Sequence, residues 1–223
     1  MAKDMNNSKI PPTTIARLPI YLRCLQDARD KRVDLISSFE LAELTGRNAA
    51  QLRKDLSYLG EFGTRGVGYE VDELIGQISK WLGTGTVRSV VVIGMGRLGQ
   101  ALCNYQGFLD KGFMITRIYD VDPEKVGTKI AGVEVVHIDE IEKMEVGEIG
   151  VIATPADGAQ EAAKKLVAAG AKAILNFAPI NIETAADICV RHVDFASELQ
   201  IIGFHLAQTE VGLPSSCCDD CSD

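Results

Sequence analysis

Three glycines and one carboxylate form the clearest chemical pattern in the sequence. Gly94-Met95-Gly96-Arg97-Leu98-Gly99 has the spacing G-x-G-x-x-G, and Asp120 follows Gly99 by 21 residues. In that pattern the first glycine allows a sharp turn after a strand. The second lets backbone approach a pyrophosphate, and the third lets helix and strand pack closely. A helix that starts there turns free N–H groups and a partial positive charge toward phosphates. A carboxylate at the position of Asp120 accepts hydrogen bonds from both hydroxyls of an adenosine ribose and repels a 2′-phosphate. Val121-Asp122-Pro123-Glu124 adds acids and no arginine, which favours NAD(H) over NADP(H). The plainer role for Asp120 is to cap the turn that follows it. Thr154, Pro155 and Asn176 stand at the ends of later apolar runs, where a parallel sheet presents its ligand, or are turn residues.

A second set of residues suits phosphates and base edges. Arg53, Lys54, Ser57 and Tyr58 fall on one side of a helical pattern whose other side is Leu52, Leu56 and Leu59. Donors so placed reach into a major groove. Four glycines and a central Arg65 follow in Gly60-Glu61-Phe62-Gly63-Thr64-Arg65-Gly66-Val67-Gly68-Tyr69, which reads as a hairpin. An arginine at its tip suits a narrow A·T-rich minor groove. A solvated charged face would look the same.

These residues need elements to position them. Ile15 to Asp30 reads as a helix with Ile15, Leu18, Leu22 and Leu25 on one face, after a leader from Lys9 to Thr14. Ser37 and Glu40 fit a capping box for a short helix over 38–44. Thr45-Gly46-Arg47-Asn48 breaks it, with Gly46 in the left-handed position and Asn48 capping a helix over 49–59. Helix, four-residue turn, helix and hairpin together spell a winged helix-turn-helix. Beyond it, strands are expected at 89–93, 113–119, 133–136, 149–153 and 173–175, with a last one at Val193-Asp194. Helices are expected at 97–109 and 158–169. Alternation of this kind builds a doubly wound parallel sheet. The reading is therefore an α/β protein with a winged helix-turn-helix domain over 1–85 and a Rossmann domain over 86–195. An apolar helix over 196–210 follows, including Leu199, Ile202, Phe204 and Leu206, and then a Cys-rich tail over 211–223.

No proton-transfer pair completes a dehydrogenase. His137, His192 and His205 lie in no catalytic setting, and the second half has no Tyr-x-x-x-Lys. No catalytic or metal-binding residue is assigned. An NAD-dependent oxidoreductase with a helical extension, a CoA- or nucleotide-binding assembly subunit, and a structural protein with a vestigial cofactor site are the competing readings.

The chain has 223 residues and 46% hydrophobic content, within the globular range. No run of 18 apolar residues is present and Met1 to Asn7 is polar, so no membrane contact and a cytoplasmic protein are expected. The net charge is −8, but residues 1–85 carry +1 and residues 86–223 carry −9. That asymmetry suggests two domains with different partners. Cys24, Cys103 and Cys189 sit among apolar neighbours. Cys217, Cys218 and Cys221 could hold a soft metal or form a disulfide, but they lie beside acids, which disfavour thiolates, and the plainer reading is a frayed tail.

With these motifs in place the sequence resembles the Rex family of redox-sensing transcriptional repressors. The resemblance rests on Gln51-Leu52-Arg53-Lys54-Asp55-Leu56-Ser57-Tyr58-Leu59-Gly60-Glu61-Phe62-Gly63 and on Arg65-Gly66-Val67-Gly68-Tyr69. It extends to Gly94–Gly99, Tyr119-Asp120-Val121-Asp122-Pro123, Asn176-Phe177-Ala178-Pro179 and Val193-Asp194, and spans about Ile15 to Ala207. It implies a homodimer whose terminal helix is swapped between subunits. It implies NADH and NAD+ as ligands, with Gly94, Met95, Gly96, Arg97, Leu98, Gly99, Asp120, Thr154, Pro155 and Asn176 around them. Phe204 is placed near the nicotinamide pocket of the partner subunit, and Tyr105 near the same site. Arg47, Arg53, Lys54, Ser57, Tyr58, Arg65 and Gly66 are implied to face double-stranded operator DNA, an inverted repeat released when NADH binds. The Cys-rich tail departs from the family pattern.

Overall fold

Pro11 and Pro12 open the first helix, α1 (Pro12–Asp30), where a proline costs no hydrogen bond. The computed structural model describes residues 10–60, 62–64, 67–143 and 149–210. The chain divides into two compact units, one of residues up to Gly85 together with those from His205 onward, the other of Thr86–Phe204. In the first unit the buried row of α1 is Thr14, Arg17, Leu18, Tyr21, Leu22, Leu25 and Ala28. Ile15 is exposed, unlike the sequence reading, because the buried row is centred on Leu18, Leu25 and Tyr21 and leaves Ile15 beyond its edge.

A short β1 (Leu35–Ile36) leads into α2 (Ser38–Thr45). The capping box at its start is complete: Glu40 N–H donates to Ser37 Oγ at 3.2 Å and Ser37 N–H to Glu40 Oε2 at 2.8 Å. Gly46 ends α2 at φ +64°, a left-handed conformation that costs glycine nothing. Asn48 then caps α3 (Ala49–Ser57), its Oδ1 accepting from Ala50 N–H at 2.7 Å. The helix stops at Ser57, two residues before the expected end, and Tyr58 is its half-buried cap. Thr64 and Gly68 form an antiparallel bridge, and β2 (Tyr69–Glu70) pairs antiparallel with β1. The hairpin segment is thus sewn to the sheet beside the helices, while Arg65 and Gly66 lie outside the described residues. Next comes α4 (Val71–Leu82), which the sequence reading did not place. Val71, Leu74, Ile75 and Ile78 close the core around Leu18, Tyr21, Leu25, Leu41, Leu52 and Leu56.

The second unit begins with β3 (Arg88–Ile93), whose last four residues are buried. The helix expected over 97–109 is two pieces, α5 (Arg97–Cys103) and α6 (Gly107–Asp110). Asn104 causes the break, since its Nδ2 donates to the Gln100 carbonyl at 2.8 Å and ends the turn. The remaining strands are β4 (Phe113–Asp120), β5 (Lys129–Ile130), β6 (Val133–His137), β7 (Ile149–Ile152), β8 (Ala173–Asn176) and β9 (Cys189–His192). A 3-10 turn covers Ile138–Lys143, and α7 (Ala156–Ala168) joins β7 to β8. The last strand ends before Val193-Asp194, because Asp194 caps the following helix by accepting from Ala196 N–H and Ser197 Oγ.

The seven strands lie in the order β5-β6-β4-β3-β7-β8-β9, parallel except for β5. This is a doubly wound sheet whose order reverses between β3 and β7, and the crevice at that switch point is where such sheets bind ligands. One face packs on α7 through Ala159, Ala162, Ala163 and Leu166. The other keeps an apolar recess of about 310 Å3, lined by Val90, Val92, Leu102, Phe113 and Phe177 among others. The final helix, α8 (Phe195–Glu210), has no buried residue despite Phe195, Leu199, Ile201, Ile202, Phe204 and Leu206. The tail cysteines lie outside the described residues. Among the described residues no group of three or more His, Cys, Asp or Glu side chains converges on a metal position, and no helix is long and apolar enough to cross a membrane.

Candidate functional site

The loop after β3 does with backbone what its glycines promise. Gly94 has φ +98°, and a Cβ there would meet the Ala153 carbonyl at 2.8 Å and Thr154 Cγ2 at 2.9 Å. The backbone after β3 therefore lies too close to the end of β7 to admit a side chain at this position. A Cβ on Gly99 would fall within 1.9 Å of the Gly94 oxygen, so α5 packs on the loop only because that atom is missing. Gly96 differs from both. It is exposed, and a Cβ there meets nothing within 4 Å, so the space its missing side chain leaves faces outward at the start of α5. No side chain caps α5, which leaves its first N–H groups turned to that space.

Met95 and Asp120 bind each other across the loop. The Met95 side chain is fully buried, and its N–H donates to Asp120 Oδ2 at 2.5 Å. Asp120 is 5% exposed. Its Oδ1 accepts from Asp122 N–H at 2.8 Å, and Lys125 Nζ lies 3.5 Å from Oδ2. A carboxylate has about four acceptor sites, and three are engaged by the protein. At least one acceptor site, on Oδ1, stays open. Lys125 also pairs with Asp122 at 3.2 Å. Burial would lower the Lys125 pKa, but the hydrogen bond to Asp122 and the Asp120 charge raise it. Sequence reading missed this lysine, although its place five residues after Asp120 in a tight turn was a usable signal.

Thr154 and Asn176 part company. Thr154 Oγ1 is buried with no hydrogen-bond partner, beside Gly94 at the switch point. A buried hydroxyl left without a partner calls for an explanation such as a ligand. Asn176 is fully buried and spent internally: Nδ2 donates to the carbonyls of Ile180 at 2.8 Å and Ala178 at 3.2 Å, and Oδ1 accepts from Ala178 N–H at 3.0 Å. The same Nδ2 lies 3.1 Å from His192 Nδ1. Its side chain braces the loop after β8 and is not a free donor to a ligand. Pro155 is exposed and starts α7. Arg97 is exposed and Leu98 half-buried in the first turn of α5. Tyr105 is 54% exposed, edge-on to Phe108 at 5.0 Å. Phe204 is 60% exposed on α8.

In the first unit the donors are held by side chains. Arg53, Lys54 and Ser57 are exposed on α3, while Leu52 and Leu56 are buried. Asp55, between them, has no exposed surface. Its carboxylate accepts from Arg17 Nε at 2.6 Å and Nη2 at 2.9 Å, Thr14 Oγ1 at 2.8 Å, Tyr21 OH at 2.8 Å and Gln51 Nε2 at 2.9 Å. Burial alone would raise the Asp55 pKa, but these bonds outweigh it and hold the carboxyl below its usual range. The Tyr21 hydroxyl is pushed up, by burial first and then by Asp55. The network pins the inner face of α3 to α1 and so fixes which residues point outward. It was missed in the sequence, yet Leu52, Asp55, Leu56 and Leu59 share one face at helical spacing. An acid in an apolar row demands a buried cationic partner. Arg47, in the turn between α2 and α3, is half-buried, as is Tyr58 after α3.

Residues 9–57 match a family described as a putative DNA-binding protein N-terminus, and residues 86–180 one described as a CoA binding domain. The chain is 50% identical over 199 residues to the redox-sensing transcriptional repressor Rex of Streptomyces avermitilis, covering 88% of this chain and 79% of that one. It is 47% identical over 205 residues to Rex of Desulfitobacterium hafniense, covering 91% and 98%. Among solved structures it is similar to RSP, a Rex-family repressor. For RSP in complex with β-NAD+ and operator DNA the TM-score is 0.85 at 37% identity, covering 91% of this chain and 95% of that one. For RSP in complex with β-NADH it is 0.83 at 35% identity, covering 92% and 98%.

Proposed function

The chain belongs to the Rex family of redox-sensing transcriptional repressors, and on that premise we propose how its own residues carry the function. It is a repressor and not an enzyme: it binds operator DNA and responds to NADH against NAD+. One observation carries the reading at the level of geometry. A single chain joins a strand end shaped for a dinucleotide to a recognition helix whose outward face is donors.

The residues fit the dinucleotide. Gly96 leaves open space at the start of α5, Gly94 and Gly99 make the approach of strand, loop and helix possible, and Thr154 offers an unspent hydroxyl. Asp120 holds the loop through Met95 and keeps one acceptor for the ribose. Arg97, Leu98 and Pro155 border the same crevice. The bound nucleotide supplies a ring that is a cation when oxidised and neutral when reduced. An apolar pocket around that ring disfavours the cation. We assign Tyr105 to its walls, together with Phe204 from the exchanged α8 of the second copy. A tenfold preference for NADH needs only about 1.4 kcal/mol.

Sixteen residues of α8 with no buried side chain need a cover. We assign that cover to a second copy of the chain, with α8 exchanged between subunits in a homodimer. A two-fold dimer presents two copies of α3, so the operator is an inverted repeat with matching half-site spacing. On each half-site Arg53, Lys54, Ser57 and Tyr58 face the major groove, and Arg65 with Gly66 enters the minor groove. The cytoplasm is the compartment we assign to it.

Ligand control follows from linkage. NADH releases DNA only if it binds the released form more tightly, and DNA must then weaken NADH binding by the same factor. The test is binding to an A·T-rich inverted-repeat duplex at fixed salt, titrated with NADH and separately with NAD+. Release at far lower NADH than NAD+ is the expected result. Independent binding of NADH and duplex overturns it.

A further inference from the structure

We propose that the first turn of α2 sets the aim of Arg53, with Ser38 and Phe39 as positioning residues for operator recognition. The inference rests on the reading above that Arg53 faces the operator. Arg53 stands on the outward side of α3, yet its guanidinium is not left to solvent. Its Nη1 donates to Ser38 Oγ at 3.0 Å, and its Cζ lies over the Phe39 ring at 5.7 Å from the centroid. That distance is within reach of a cation–π attraction. Ser38 and Phe39 are the first two residues of α2, directly after the Ser37 cap, so the capping box fixes where both side chains start.

Phe39 has no other evident reason to be where it is. It is 72% exposed and takes no part in the core of its unit. Beside it opens a groove of about 500 Å3, whose lining includes Ser38, Phe39 and Arg53 on one side and Phe62, Thr64 and Tyr69 of the hairpin segment on the other. An unrestrained arginine on a helix surface samples many rotamers and loses that freedom when it meets its target. Side-chain ordering on binding subtracts directly from affinity. Here the guanidinium is held from two sides on folding, so less is lost when DNA arrives. The planar fork that reads guanine or grips a phosphate is also held in one plane. The first helix of the helix-turn-helix therefore acts as a rest for the reading residue of the second.

A double-mutant cycle tests this, with binding to the operator duplex and to an unrelated duplex measured at fixed salt. Phe39→Leu is expected to cost about two- to fivefold in operator affinity, the range of an exposed cation–π contact. Phe39→Tyr, which keeps the ring, is expected to hold the parent affinity. In an Arg53→Ala background Phe39→Leu is expected to cost nothing further, because it acts through Arg53. The thermal midpoint should fall by no more than a few degrees, since only one exposed contact is lost. Equal losses in both backgrounds would mean that Phe39 touches DNA itself and would overturn positioning while leaving the interface reading intact. No loss from Phe39→Leu in either background also overturns it. If Arg53→Ala leaves operator affinity unchanged, Arg53 does not face the operator, and the reading and the proposal fall together.

Discussion

The two units place their working groups by opposite means. In the first, side chains from distant parts of the chain converge on Asp55 and fix the outward face of α3. In the second, the groups that face the crevice are mostly backbone, and the atoms that matter are missing ones, the Cβ positions of Gly94, Gly96 and Gly99. A reader of DNA needs long donors at defined angles, so it needs a rigid helix behind them. A binder of a pyrophosphate needs close approach, so it needs the absence of side chains. The difference teaches where each unit is fragile: the first to loss of a partner, the second to gain of a methyl group.

The largest expected effect comes from breaking the side-chain network. Asp55→Ala leaves the nearly buried Arg17 without its carboxylate, and removing one partner of a buried pair costs about 3–5 kcal/mol. That is a large part of a domain's usual stability. Trp81, the single tryptophan of the chain, lies in α4 of this unit, its indole N–H donating to the Leu59 carbonyl. Its fluorescence during urea unfolding reads the loss directly. The parent protein should show the same weakness toward acid. The Asp55 pKa is lowered in the folded state, so its contribution is present above the unfolded value of about 3.9 and is lost as pH falls through the folded one. Unfolding followed at Trp81 should therefore steepen below about pH 4. A flat acid limb would show that the network stabilises nothing.

Next in size is a methyl group added to the second unit. Gly99→Ala sets a Cβ against the Gly94 oxygen and forces α5 off its loop, a rearrangement that costs about 1–3 kcal/mol in a packed site. NADH binding should be lost with it. Gly96→Ala is the control that sharpens the comparison. Nothing lies within 4 Å of its Cβ, so unfolding should be nearly unchanged while NADH affinity falls. Calorimetric titration of both variants, set beside their melting curves, separates the two glycines. If Gly96→Ala binds NADH as the parent does, the open space is not where the pyrophosphate lies.

The sequence exposes these two architectures unequally, for a physical reason. A backbone site writes its requirement into adjacent residues. The glycine spacing, the strand before it and the acid after it were therefore readable, as were the Ser37–Glu40 capping box and the Gly46 turn. A side-chain site writes its requirement across the chain. Arg17 and Asp55 are 38 positions apart, and only the acid in an apolar row hinted at the pairing. Asn104 and Asp194 were read as part of a helix and of a strand, because a side chain that ends or starts a helix looks like any polar residue until its acceptor is known. Asn176 was open between a ligand contact and a turn residue, and only the acceptors its side chain meets, two carbonyls of its own loop, show the second role. The interaction of Phe39, Ser38 and Arg53 joins two helices and left no periodic trace.

The smallest effect has the opposite sign and bears on the second unit alone. Thr154 Oγ1 is buried without a partner, and an unsatisfied buried hydroxyl costs about 1–3 kcal/mol relative to one that is bonded. Thr154→Val keeps the shape, removes the hydroxyl and retains the Cγ2 methyl that packs against Gly94. Without nucleotide the variant should be as stable as the parent or more so, by up to about 1 kcal/mol. With saturating NADH the order should reverse, because the parent gains a bond that the variant cannot make, and ligand stabilisation scales with affinity. Melting curves with and without NADH read both signs in one experiment. If Thr154→Val is destabilised without nucleotide, the hydroxyl has a protein partner. The backbone-built crevice then carries no side-chain contact from the end of β7, which would make the contrast between the units sharper still.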